Sequence, residues 1–266
     1  MLSAELRHLI RRRRTIVLLA VLLVLPILLS LAIYLSGGPG SGKGPAFLDR
    51  VSHNGVFAAL AGLTVALPFF LPLTVAVIAG DTIAGEASLG TLRYVLTRPS
   101  GRGRLLAVKG ATVAAFCVAG ALLVAVGGLV AGSVLFPIGN VIGLSGTSFS
   151  LGNGVLRTLL AAVIVGASLL GLASIGMFIS TLTDVPVGAM AGTVGVAVLS
   201  SILDSVPQVH AIHPWLFTHN WFAFGDVFRT PVSWHNIVRD LLLQAGYIAV
   251  FASAAWARFT TSDVLA

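Results

Sequence analysis

The chain has 266 residues, 57% of them hydrophobic and only 9% charged, with a mean hydropathy of +1.00 and a formal net charge of +7. A soluble domain carries about 25% charged residues, so this composition excludes a water-facing globular protein and makes lipid the solvent. The positive balance does not point to nucleic acid: eleven of the 16 Lys and Arg fall in the N-terminus, residues 80–110 and the C-terminus, as in membrane proteins with basic cytoplasmic loops.

Leu2, Leu6, Leu9 and Ile10 recur at helical spacing and predict a short amphipathic helix on the inner membrane surface. Arg11, Arg12, Arg13 and Arg14 follow as an anchor for the first span. Residues 16–34 are uncharged, and 14 of these 19 are Leu, Ile or Val. At about −0.4 kcal/mol each, they favour insertion by roughly 6 kcal/mol. The run exceeds the ~7–15 residues of a secretory signal core, and no A-x-A site follows it. Further spans are predicted over 56–79, 111–136, 155–179, 187–203 and 241–256, the second kinked at Pro68 and Pro72. Small residues at spacing four (Ala162/Gly166, Ala167/Gly171, Gly188/Gly192) would let helices approach closely. The predicted fold is one all-α integral membrane domain over 1–266 with six transmembrane helices.

With the N-terminus inside, the inner segments hold eleven Lys and Arg and the outer segments five. Both termini are therefore expected in the cytoplasm, in a multi-pass protein of a bacterial cytoplasmic membrane. No Asp, Glu, Lys, Arg or His falls in the core of the six predicted spans, which argues against a proton relay or ion-coupled carrier. Energy for any transport is expected to enter from outside the membrane. Cys117 is the only cysteine and lies in an apolar run, so it forms no intrachain disulfide and is expected to pack.

Residues 80–109 read GDTIAGEASLGTLRYVLTRPSGRGRLLAVK. Leu89, Leu92 and Leu96 share a helical face with Arg93 opposite, giving a short amphipathic element. Pro99 ends it, and Ser100 can cap the helix that follows. Arg102 and Lys109, seven apart, share a face from which their stems can snorkel toward headgroups. The stretch resembles the first cytoplasmic loop of type-2 ABC exporter permeases: an acidic residue, Ile, then G-E-x-x-x-G-T-L, a Leu pair, R-P, a basic residue and Lys. The matching positions are Asp81, Ile83, Gly85, Glu86, Gly90, Thr91, Leu92, Leu96, Arg98, Pro99, Arg102, Arg104 and Lys109.

The resemblance implies the membrane subunit of an ABC exporter, working as a dimer with an identical or paralogous permease. It implies a cytoplasmic coupling helix between spans 2 and 3 that fits a groove on a separate ABC ATPase. Asp81, Glu86, Leu89, Gly90, Thr91, Leu92, Arg93 and Arg98 would form that contact. Asp184, in the short link 180–186, is a possible second contact. Glu86 is expected to pair with an Arg of the partner or of this chain. ATP and Mg²⁺ would bind the ATPase, so this chain is expected to be no enzyme and to carry no catalytic, cofactor-binding or metal-ligating residue. Membrane lipids and a hydrophobic or amphipathic substrate are its other expected partners; nucleic acid is not. The alternatives are a membrane-embedded hydrolase and a non-transporting scaffold.

Several motifs imitate other chemistry. Gly37 to Lys43 fits G-x-x-x-x-G-K, but a membrane helix precedes it and Gly44 stands where a phosphate loop needs Ser or Thr. Gly143-Leu144-Ser145-Gly146 resembles an intramembrane protease motif, yet no span holds a histidine to activate Ser145. His210, His213, His219 and His235 share one outer loop without a ligand pair at zinc-finger spacing, and read as surface or interfacial histidines. That loop, 204–236, also carries Trp215, Phe217, Trp221, Phe222, Phe224, Phe228 and Trp234. They predict an aromatic interfacial or re-entrant segment at the outer leaflet between spans 5 and 6.

Single-cysteine labelling in a Cys117→Ser background tests this topology. A cysteine at position 43 should react from outside and one at position 102 only after permeabilisation; the reverse pattern would refute the orientation.

Overall fold

The structure, a computed structural model, describes residues 5, 7, 9, 11–36, 51–88, 102–143 and 145–261. Its described helices are α1 (Arg13–Leu35), α2 (Val56–Ala66), α3 (Phe70–Ser88), α4 (Arg102–Leu135), α5 (Leu151–Ser168), α6 (Leu170–Ser180), α7 (Pro186–Ser205) and α8 (Trp234–Thr261). Six stretches are long and apolar enough to cross a membrane: α1, α3, α4, the α5–α6 pair, α7 and α8; α2 is a shorter apolar helix ahead of α3. This is a multi-pass membrane protein. The predicted N-terminal surface helix falls largely outside the described residues, and the segment 89–100 lies wholly outside them.

The helix boundaries have local causes. α2 stops at Ala66, two residues before Pro68, whose missing N–H removes the next rung of the ladder. α7 starts with Pro186 in its first turn, where the missing N–H costs nothing. Ser150 caps α5 by accepting the Asn153 amide. The break at Leu169 has no proline. There the Ser168 carbonyl accepts the indole N–H of Trp221 at 3.1 Å, and a side chain inserted into the ladder is a standard cause of a kink.

α3 and the α5–α6 pair form the centre: 67% and 72% of their apolar windows are buried, against 22% for α1 and α7 and 17% for α8. Phe57, Leu60, Leu63, Leu67 and Leu71 of the α2–α3 stretch meet Val165, Leu169 and Leu172 in one core. The peripheral helices leave large side chains uncovered, among them Val17 and Leu28 on α1, Val187 and Leu199 on α7, and Leu242 and Val250 on α8.

The far end is closed by an antiparallel hairpin, β1 (Val141–Ile142) with β2 (Ser148–Phe149), pairing Val141 with Phe149 and Ile142 with Ser148. Residues 204–236 fold over it as two 3₁₀ segments, Pro207–Trp215 and Trp221–Phe228. Their aromatics divide. Phe217, Trp221, Phe224 and Phe228 are buried in the core, while Trp215, Phe222 and Trp234 stay exposed. Arg157 of α5 holds this segment by donating to the carbonyls of Val227 (2.7 Å) and Arg229 (3.1 Å).

Of the small-residue pairs, only some mark close approach. A Cβ on Gly166 would lie 2.7 Å from Val118 Cα of α4, whereas at Gly188 and Gly192 it would make ordinary contacts. Gly166→Ala should therefore cost about 1–3 kcal/mol through overpacking. Gly195, with nothing within 4 Å of an added Cβ, should tolerate alanine and gain up to about 1 kcal/mol of helix propensity. Unfolding of the two purified variants in detergent measures the contrast.

Candidate functional site

The N-terminus, the two ends of the 80–109 segment, the end of α6 and the C-terminal helix meet at one end of the bundle. Ile83 of α3, Leu105 and Leu106 of α4, and Ala255 and Phe259 of α8 form a second apolar cluster there. On it sits a network of charges that lipid would not tolerate singly.

Asp81, buried in α3, accepts from two arginines at the start of the first span: Arg12 at 2.5 Å and Arg14. Five residues on, Glu86 takes the ammonium of Lys109 at 2.5 Å, and the Glu5 carboxylate lies 3.9 Å from the same nitrogen. Lys109 stands two turns inside α4 with its side chain only 7% exposed. The two ion pairs therefore join the N-terminal segment to α3, and the last part of α3 to the first part of α4.

Ser180, the last residue of α6, completes the clamp. Its hydroxyl donates to the Gly80 carbonyl at 2.7 Å and accepts the amides of Ile83 (3.0 Å) and Ala84 (2.9 Å). The hydroxyl thus bonds to both sides of one α3 turn, and α6 is held to the helix that leads into residues 89–100.

Among the sequence-predicted site residues, the structure brings Asp81 and Glu86 together with Arg12, Arg14 and Lys109. Leu89, Gly90, Thr91, Leu92, Arg93 and Arg98 lie outside the described residues. Asp184 is exposed in the link between α6 and α7, where Thr183 rather than Asp184 supplies the turn bond by accepting the Val185 amide at 3.1 Å. Lys109 corrects one expectation: its ammonium turns inward to Glu86 instead of snorkelling outward, because a carboxylate one helix away satisfies it better than a partly hydrated surface. Glu86 meets this lysine of the same chain.

A second correction concerns the spans. Asp240 is 1% exposed within α8, which begins at Trp234, before the predicted start of the sixth span. It accepts from the Ser168 hydroxyl and from the Gln244 amide at 3.0 Å, and that amide also donates to the Phe217 carbonyl at 2.8 Å. An apolar window stops at the first charged residue, so the sequence placed Asp240 outside the helix core. The signal that could have found it is the i, i+4 spacing of Asp240 and Gln244 on the face turned to α5.

Ser145 sits in the turn of the hairpin, where its hydroxyl accepts the Thr230 amide at 3.0 Å, so its described partner is a donor and not a base. The phosphate-loop mimic at 37–43 lies outside the described residues.

Comparison with known proteins places this architecture. A family described as ABC-2 family transporter protein matches residues 1–264. The chain belongs to that family. Over 66 residues it is also 42% identical to a protein named probable ABC transporter permease protein NosY from Pseudomonas aeruginosa; the match covers 25% of this chain and 24% of that one.

The ion-pair clamp has a measurable signature. Glu86→Gln removes the carboxylate that meets the buried Lys109 ammonium and should cost about 3–5 kcal/mol. Glu86→Gln combined with Lys109→Met should recover at least half of that loss. Unfolding of the single and double variants in detergent gives the coupling energy; additive losses would show the pair to be unimportant.

Proposed function

We propose that this ABC-2 family member is the permease subunit of an ATP-driven exporter, and that residues 80–109 receive a separate ABC ATPase at the cytoplasmic face. One observation carries the reading: the base of that segment is clamped to three parts of the membrane domain at once. Asp81 is held by Arg12 and Arg14, Glu86 by Lys109, and the α3 backbone by Ser180. A push on residues 89–100 cannot be absorbed locally. It is passed to α3, to α4, and through the arginines to α1.

The rest of the machine follows from the family and the surface. ATP and Mg²⁺ bind the ATPase, and this chain contributes no hydrolysis. A second permease, identical or paralogous, would face it across a pathway, and the uncovered apolar sides of α1, α7 and α8 supply surface for that subunit and for lipid. Between α4, α6 and α8 lies an apolar cleft of about 380 Å³ bordered by Leu106, Ala114, Leu170, Met177 and Trp256. A cleft of this kind fits a hydrophobic or amphipathic substrate. With the positive segments inside, both termini lie in the cytoplasm of a bacterial cell and the hairpin and residues 204–236 face outward. The 42% identity to a chain named as a permease supports the same role.

Co-purification with the ATPase and substrate-stimulated ATP hydrolysis in proteoliposomes test the docking. Leu89→Ala combined with Leu92→Ala should abolish co-purification while the permease still folds and inserts. Glu86→Ala should keep binding but lower stimulated turnover at least tenfold, because it loosens the clamp and not the contact. Unchanged complex and turnover in both variants would move the docking surface to the 180–186 link.

A further inference from the structure

At the end of the bundle opposite the clamp, three side chains with metal-binding chemistry converge. Asp204 lies in the last turn of α7, His213 near the end of the first 3₁₀ segment, and His219 in the turn before the second. Asp204 Oδ1 and His219 Nδ1 are 2.6 Å apart, and one ligand atom from each of the three residues lies within 4.8 Å of the others. The His213 and His219 rings are 5.8 Å apart, and the His210 ring is 5.8 Å from His213 on the other side.

We propose that Asp204, His213 and His219 bind a divalent first-row transition-metal ion, of which Zn²⁺ is the representative. Two imidazoles and one carboxylate suit such an ion, and three protein ligands leave a fourth position for water. In a tetrahedral site with bonds of about 2.0–2.2 Å, neighbouring ligand atoms stand about 3.3 Å apart. The Asp204–His219 pair is drawn together at 2.6 Å around a proton; exchanging that proton for a metal opens the pair by less than about 1 Å.

Orientation is provided as well. His213 Nε2 lies 3.2 Å from the Val206 carbonyl. A neutral His213 donating there presents its Nδ1 lone pair to the ion, the usual arrangement behind a metal-ligating histidine. The floor is fixed by a buried hydroxyl pair, Ser200 and Thr218, at 2.8 Å. Asp204 and His219 are 26% and 34% exposed, so an ion from the aqueous side can reach them. Bound there, it would pin the end of α7 to the segment that carries Phe217 and Trp221 into the core. The site does not depend on the exporter reading. The spacing of nine and then six residues hides it in the sequence, since the three ligands meet only because the 3₁₀ segment doubles back over the end of α7.

Tag-free protein in detergent, titrated with Co²⁺ alone and then with Zn²⁺, tests the proposal. One Co²⁺ per chain should bind with visible absorption bands that Zn²⁺ abolishes, and Zn²⁺ should raise the unfolding temperature. His213→Ala combined with His219→Ala should weaken binding at least 100-fold, whereas His235→Ala should leave it unchanged. Should the double variant fail to fold, Asp204→Asn replaces it, keeps a hydrogen bond to His219, and should weaken Co²⁺ binding at least tenfold. Absence of saturable one-to-one binding overturns the site and leaves Asp204–His219 an ordinary ion pair. Affinity unchanged in whichever of these variants folds overturns it equally.

Discussion

An ionisable group inside a lipid-solvated protein must find a counter-charge or hydrogen-bond donors within the same fold, and that requirement organises this molecule. Taking an ammonium or carboxylate out of water costs several kcal/mol per ion even after relaxation. Lys109 meets the requirement through Glu86, and Asp81 through Arg12 and Arg14. Asp240, at the other end, is held by a hydroxyl and an amide. Between these layers the core is Leu, Val, Phe and Ala. The two polar layers fix the ends of the helices, and the middle between them is apolar.

The layers differ in what they hold. The ionic layer ties together segments distant in sequence: residue 12 with 81, 86 with 109, and Ser180 with the α3 backbone. Each of these contacts has one end in α3, the helix that leads into residues 89–100. The hydrogen-bonded layer fastens residues 204–236 to α5 and α8 through Trp221, Phe217 and Gln244. It makes the opposite end a packed cap, with four of its aromatic side chains in the core and not in an interface.

Much of this was legible in the chain. Hydropathy counted six long apolar stretches because each must hide a backbone ladder from lipid. The second, expected over 56–79, is instead a short helix followed by the long α3 (Phe70–Ser88), and Pro68 announced the break between them because its chemistry is local. The comparable break at Leu169 carried no such mark. It depends on the Trp221 indole reaching the Ser168 carbonyl across 53 residues. The resemblance of residues 80–109 to a family loop could be read from the chain, and Asp81 and Glu86 singled out as acids that topology did not need. Their partners could not be read, since Arg12, Arg14 and Lys109 looked like ordinary inside-positive charges.

The sequence by itself determined the solvent, the helical class, the number of long apolar stretches and the family-like loop, because composition, apolar length and a contiguous motif are properties of the chain. Only the tertiary structure decided which charges pair, that Lys109 and Asp240 are buried, which glycines bring backbones together, and that Asp204, His213 and His219 share one point. Those are distances between residues far apart in sequence, set by how the helices pack, and no local periodicity encodes them.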